Sequence, residues 1–150
     1  MKKTILLVAI ILGAALSFTA CNDDDPTIAK PVITIMELGK GHSHGNDRTA
    51  EVGGEVHIEV EIVAEGKIDK VQVIIHPEGE HKSAVEEDEW EVDTTYTKFS
   101  GLKNTTFHEH IDIATTAEPG DYHFDFIVTD MEGNQSSADA ELEIVAEQHQ

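Results

Sequence analysis

Apolar and polar residues alternate along most of this chain, and that alternation constrains the fold more than any other feature. In EVHIEVEIV, residues 55–63, the apolar residues from 56 to 62 fall at even positions, and His57, Glu59 and Glu61 fall at odd ones. A strand with one buried face has this period of two, whereas a helix repeats every 3.6 residues. Turn signals rich in Gly and Asn separate six further runs: residues 31–38, 68–76, 88–99, 107–113, 121–130 and 138–145. Seven short strands in about 115 residues predict an all-β fold, an antiparallel β-sandwich.

The first twenty residues have the form of a secretory signal peptide. A basic head with Lys2 and Lys3 precedes an apolar stretch, which ends in small residues before Cys21. That stretch is too short and wrongly flanked for a membrane-spanning helix. The segment SFTAC, residues 17–21, resembles the processing site of bacterial lipoproteins, which implies that Cys21 is lipidated and begins the mature chain. The alternative is a plain signal peptide followed by an incidental cysteine.

The residues that follow Cys21 predict a short tether before the folded domain. The run NDDDP, residues 22–26, carries three carboxylates and a proline and cannot pack into a core, so we assign residues 21–29 to a solvated tether. The run also resembles the surface-export signal of lipoproteins from Bacteroidota-type bacteria. This resemblance implies an outer-membrane anchor that faces the cell surface, with the periplasmic face as the alternative. Residues 30–146 then form one sandwich domain, and residues 147–150 form a tail.

The charge of the chain argues against polyanionic partners. Removing residues 1–20 takes away two of the 10 basic residues and none of the 30 acidic ones, so the formal charge goes from −20 to −22. A field of this sign repels nucleic acid and anionic lipid and attracts cations. Cys21 is the only cysteine, so no disulfide can form within the chain.

The last third of the chain resembles a known type of module. The stretch from Pro119 to Ile144, PGDYHFDFIVTDMEGNQSSADAELEI, is similar to the last hairpin of bacterial immunoglobulin-like and cadherin-like domains. Residues 31–146 as a whole resemble an uncharacterised immunoglobulin-like lipoprotein domain family of Bacteroidota, on the motifs GHSHG, IIHP, FHEH and PGDYHF. Membership would imply an immunoglobulin-like sandwich and a lipid anchor. It would imply no established activity.

Histidines are predicted to gather at one end of such a sandwich. Successive strands alternate in direction, so the first, third and fifth connections lie at the same end. Five histidines fall in or beside these connections: His42, His44, His76, His81 and His123. The end of the third strand should meet the start of the sixth, which places His76 beside His123 on the outward face. Neutral imidazole is a good zinc or copper ligand, so we predict a transition-metal site from these residues, with His81 in reserve and the other four as the principal ligands. The alternative is an exposed, histidine-rich loop end.

His108 and His110 form a separate pair with the same parity on the fifth strand. They could clamp a metal ion from one face of the strand, which would make a second site. With the strand starting at Phe107, the pair is expected near the opposite end from GHSHG. The alternative is a solvated strand face, and His57 has the same interpretation as an outward neighbour of Glu59.

Three functions are compatible with these observations, of which the third, binding of haem or a siderophore, would need an apolar slot beside the histidines. The first is a lipid-anchored envelope protein that captures or buffers a transition metal and passes it to an outer-membrane transporter or surface protein. The second is an adhesive or spacer module that binds protein or glycan, with the histidines incidental. The sequence has no GxSxG, no HExxH, no phosphate-binding glycine loop and no cysteine beyond Cys21, so we do not expect an enzyme.

Overall fold

The computed structural model describes residues 27–41, 47–79 and 90–147. Within these ranges the chain is all-β, and no helix is long and apolar enough to cross a bilayer. Its eight strands are β1 (Val32–Gly39), β2 (Thr49–Glu51), β3 (Glu55–Val63), β4 (Ile68–Pro77), β5 (Val92–Tyr96), β6 (Asn104–Asp112), β7 (Gly120–Asp130) and β8 (Gln135–Val145).

The eight strands form two sheets. One has three strands in the order β1-β3-β6, and the other has five in the order β2-β8-β7-β4-β5. All pairings are antiparallel except that of β2 with β8, which is parallel. The end of β1, the start of β3 and the end of β6 therefore lie at the same end of the three-stranded sheet. The end of β4 and the start of β7 likewise lie together in the five-stranded sheet.

The two sheets pack face to face around one apolar core. Along β3 the even-numbered residues from 56 to 62 are buried, and along β7 the same is true of Tyr122, Phe124, Phe126 and Val128. The ring of Phe107 on β6 lies 5.0 Å from that of Phe126 on β7, centre to centre, and so joins the two sheets. Alternation in the sequence thus places one face of each sheet in the core and the other outside.

The prediction of an all-β chain is confirmed, but its details change. The described residues form eight strands rather than seven, because the three-residue β2 carries no periodic signal of its own. The fourth predicted run, residues 88–99, contributes only β5. Strand β6 begins at Asn104, three residues before the predicted start. His108 and His110 therefore lie nearer the end of the strand than predicted.

The connection between β6 and β7 is held by a tyrosine. The hydroxyl of Tyr122, near the start of β7, donates a hydrogen bond to the Glu118 carbonyl oxygen at 2.8 Å. The Tyr122 ring is buried and packs edge-on against Trp90, with ring centres 5.6 Å apart. These contacts fix the position at which β7 enters the sheet. Because Tyr122 points into the core, the next residue along the strand, His123, points outward.

Candidate metal centre

His57 lies on the outer face of the three-stranded sheet, yet it is only 4% exposed. It sits on the central strand β3, with His110 of β6 directly opposite on one side and Gly39 of β1 on the other. Gly41 covers the ring from above: a Cβ added there would lie 2.8 Å from the His57 Cγ. Gly41 also has a φ of +64°, a conformation that glycine adopts without strain. Neighbouring strands and this turn therefore bury an outward-facing imidazole.

Three imidazoles meet at this point. The ring centres lie 4.9 Å apart for His57 and His108, 4.8 Å for His57 and His110, and 5.4 Å for His108 and His110. One ligand nitrogen from each ring can be chosen so that all three lie within 4.8 Å of one another. Three imidazoles on a tetrahedral zinc ion, with Zn–N bonds of about 2.0–2.1 Å, have ring centres about 5 to 5.5 Å apart. The observed spacing is therefore close to that of a three-histidine zinc site.

Carboxylates contact the outer nitrogens of two of these rings. His110 Nδ1 lies 2.8 Å from Glu55 Oε1, and His57 Nε2 lies 3.2 Å from Glu37 Oε2. The inner nitrogens, His57 Nδ1 and His110 Nε2, lie 3.2 Å from each other. Metal-bound histidines commonly use their second nitrogen in this way, because the carboxylate fixes the tautomer and raises the basicity of the ligand.

The two inner nitrogens are spaced as ligands of one ion would be. His57 Nδ1 and His110 Nε2 lie 3.2 Å apart, close to the about 3.3–3.4 Å between two nitrogens on a tetrahedral zinc ion. The contact of His57 Nε2 with Glu37 has the distance of an ion pair and lacks hydrogen-bond geometry. Without an ion, one N–H group can therefore lie between the two inner nitrogens while the His110 Nδ1–H group faces Glu55. A metal ion bound by the inner nitrogens would replace that shared hydrogen.

The electrostatic surroundings keep His57 neutral. Burial is the largest cause that lowers the pKa of His57 below its ordinary value, and the neighbouring His110 and His108 lower the pKa further. Glu37 and Glu59 act in the opposite direction and do not reverse the shift. A neutral imidazole is the form that binds metal, so the lowered pKa of His57 weakens the competition of protons with a metal ion.

The lowered pKa predicts how stability depends on pH. Below the ordinary histidine pKa of 6.5, the unfolded chain takes up a proton at His57 before the folded chain does, so this residue contributes a loss of stability as pH falls. We expect the urea midpoint of the native protein to fall between about pH 7.5 and pH 5, and to fall more than the urea midpoint of His57→Gln does. Both proteins are unfolded in the presence of a metal chelator. A native protein that gains stability relative to the variant over this range would mean that the pKa is raised instead.

The predicted five-histidine cluster is described only in part. His42, His44 and His81 lie outside the described residues. His76 and His123 are directly paired across β4 and β7, as the predicted strand order required, with ring centres 5.6 Å apart. They lie on the outer face of the five-stranded sheet, so the sandwich separates them from His57, His108 and His110.

Two expectations about the other histidines were wrong. Because β6 starts at Asn104, His110 faces His57 near the end of the sheet that carries Gly41, rather than at the end opposite GHSHG. His57 was interpreted as a solvated neighbour of Glu59, but it is buried. Among the described residues, two groups have ligand atoms that already lie within 4.8 Å of one another, and His57 belongs to both, with His108 and His110 in one and with Glu37 and Glu59 in the other. The prediction that the His57 side chain points outward was correct. Its burial by β1, β6 and Gly41 could not be predicted, because these contacts leave no local pattern in the sequence.

Solved structures offer likeness in fold only. A DUF4466 family protein from Parabacteroides merdae is 12% identical, with a TM-score of 0.52 over 78% of this chain and 45% of that chain. The sporulation control protein Spo0M from Bacillus subtilis is 12% identical, with a TM-score of 0.47 over 80% of this chain and 51% of that one. Superoxide reductase (neelaredoxin) from Ignicoccus hospitalis is 11% identical, with a TM-score of 0.42 over 79% and 82%. The chain spans less than half the length of the first of these proteins.

A family comparison is more informative than these distant likenesses. Among curated proteins, none matches this chain. The model of one family, described as a domain of unknown function, matches residues 19–145 and so covers the whole described sandwich. The chain therefore belongs to the family DUF4625, a domain of unknown function.

Proposed function

We propose that this protein binds a transition-metal ion through His57, His108 and His110. The observation that carries the proposal is the mutual spacing of the three imidazoles, 4.8 to 5.4 Å between ring centres, with Glu55 and Glu37 on the outer nitrogens. At this spacing, rotation of the side chains can bring one nitrogen of each ring to the same ion without a change of backbone. His108 and His110 are exposed, so an ion can reach that point from solvent.

The ligand set favours zinc or copper. Neutral imidazole binds both well, and the absence of thiolate from the set removes the usual preference for the softest ions. A fourth position remains for water or for a ligand from a partner. We assign the site to metal capture or buffering rather than catalysis, because the outer face of a three-stranded sheet gives a substrate few walls. Delivery to an outer-membrane transporter is the corresponding role for an envelope protein.

Calorimetric titration of the untagged full-length protein in detergent tests the proposal. Zinc and copper are added in turn to the native protein, to His108→Ala/His110→Ala and to Thr106→Ala. Thr106 lies on the same strand and the same face as the two histidines, so its variant controls for a change on β6. We expect one ion to be lost in the double variant alone. Identical isotherms for all three proteins would rule out a site at these histidines.

The anchor belongs to the same proposal. Lipidation of Cys21 would hold the acidic domain at the outer membrane by residues 21–29, facing the cell surface or, as the alternative, the periplasm. We expect Cys21→Ser to lose labelling by radioactive palmitate and to move from the membrane fraction to the soluble fraction. An equal membrane fraction for the variant and the native protein would support a plain signal peptide or another attachment.

The second candidate function is an adhesive or spacer module. The Tyr122 hydroxyl bonded to Glu118, four residues upstream, has the form of the tyrosine corner of immunoglobulin-like sandwiches, and we propose an immunoglobulin-like topology on this ground. Such domains recognise partners through loop ends and exposed edge strands. If zinc and copper bind only at millimolar concentration, this function replaces the first.

A further inference from the structure

A second pair of histidines lies on the outer face of the five-stranded sheet. His76 of β4 and His123 of β7 are direct cross-strand partners, and their side chains are partly exposed. The ring centres are 5.6 Å apart and the ring planes are inclined by 42°. Two imidazoles on one zinc ion have centres about 5 to 5.5 Å apart, so a small rotation of either side chain would bring both to the same ion. Directly paired side chains of an antiparallel sheet are well placed for this.

Hydrogen bonding selects the nitrogen that His76 presents. Its Nδ1 lies 3.1 Å from the Pro77 carbonyl oxygen, which can only accept a hydrogen bond. Nδ1 therefore carries the hydrogen in the neutral ring, and Nε2 carries the lone pair. A backbone carbonyl on the second nitrogen is a common way to orient a metal-binding histidine.

Carboxylates flank His123 on the same face. Asp125 Oδ1 lies 3.5 Å from His123 Nε2, and Glu141 of β8 is directly opposite His123. The rows on either side place like charges opposite each other: Asp121 faces Glu143, and Asp125 faces Asp139. Like charges directly opposite in a sheet are destabilising, and a divalent cation among them would offset the repulsion. Arg48 lines the margin of the patch beside Asp121 and Glu141 and neutralises only part of it.

We propose that His76 and His123 form a second divalent-metal site when their side chains rotate toward one point, with the carboxylates of Asp125 and Glu141 turning in to complete it; as described, the ligand atoms of these four residues do not yet lie within 4.8 Å of one another. Two imidazoles and two carboxylates make a mixed nitrogen and oxygen set, which suits zinc. The site is independent of the one at His57, because the two lie on opposite outer faces of the sandwich. It needs none of the histidines outside the described residues. The protein would then carry two ions. One would be held at the cross-strand pair of His57 and His110, the other at that of His76 and His123, and the two pairs lie at the same end of the sandwich.

Zinc stoichiometry of the full-length protein tests this site separately from the first. We expect two ions for the native protein and one for His76→Gln/His123→Gln, with Asp125→Asn weakening the second ion at least about tenfold. Lys70→Ala/Thr129→Ala changes another directly paired position of the same two strands and should keep both ions. In His108→Ala/His110→Ala, one ion should remain and should disappear when His76 and His123 are also replaced.

The outcomes distinguish the two sites. If the first site does not exist, the native protein binds one ion and His76→Gln/His123→Gln binds none. If the second does not exist, His76→Gln/His123→Gln binds zinc as the native protein does, which overturns the inference. A triple variant, His42→Ala/His44→Ala/His81→Ala, should retain both ions. Loss of the ion at His76 and His123 in that variant would also overturn it, because the ligand set would then be a different one.

Discussion

Replacing His110 with alanine is expected to weaken zinc binding at the first site by at least about 100-fold. The variant loses one of three nitrogen ligands, and it also separates Glu55 from the site, since that carboxylate acts through His110 Nδ1. Loss of an orienting partner alone typically costs about 10- to 100-fold in metal affinity, so loss of the ligand should cost at least the upper value. In free energy this is about 2.8 kcal/mol or more. Competition with a fluorescent chelator measures the change.

Two glutamate variants serve as matched controls for this experiment. Glu55→Gln keeps an oxygen that can accept from His110 Nδ1 but removes the charge, and we expect it to weaken zinc binding by about tenfold. Glu61→Gln makes the same change on the same face of β3, away from the three rings, and should leave affinity unchanged. Equal effects of both substitutions would indicate a general effect of charge rather than a role for Glu55. Zinc affinity in His110→Ala equal to that of the native protein would remove His110 from the site.

Phe107→Ala is expected to lower the free energy of unfolding by about 3–5 kcal/mol. Phe107 is fully buried on β6, and its ring contacts those of Tyr96, Phe99 and Phe126, with centres 5.0 to 5.4 Å away. The truncation leaves a cavity between the two sheets, which the surrounding strands can fill only in part. The total free energy of unfolding of a domain of this size is about 5–15 kcal/mol, so the loss is a large fraction of its stability.

Equilibrium unfolding in urea, with chelator present, measures this loss. Phe99→Ala is the control, because Phe99 touches the same ring but is only partly buried. Phe99→Ala should lower the free energy of unfolding clearly less than Phe107→Ala does. Equal costs would mean that Phe107 does not connect the sheets in the way its contacts indicate. Saturating zinc should recover part of the stability of Phe107→Ala, since binding to the folded state adds about 2.7 kcal/mol at a hundred times the Kd.

Much of the fold could be predicted because burial in a sandwich follows the period of two. The run at 55–63 coincides with β3, and the direct pairing of His76 with His123 follows from the order of β4 and β7. Strand β2 could not be predicted in this way. It has three residues, and its position depends on parallel pairing with β8, far along the chain, rather than on any local pattern.

Only part of the candidate metal centre could be predicted from the sequence. The shared parity of His108 and His110 indicated a clamp on one strand face, but the third ligand comes from β3, and only the register of β3 with β6 places His57 opposite His110. The burial of His57 depends in addition on Glu37 from β1 and on the turn at Gly41. These are contacts between strands distant in the sequence, and a single sequence gives no signal for them.

Anomalous diffraction at the zinc edge, from crystals of the zinc-loaded protein, tests the central claim most directly. We expect a peak about 2.0–2.1 Å from His57 Nδ1, from His110 Nε2 and from one ring nitrogen of His108, with Glu55 still on His110 Nδ1. A protein that binds zinc in solution but shows no anomalous peak within reach of these three rings would contradict the account, and the position of its zinc would identify the ligands that replace them.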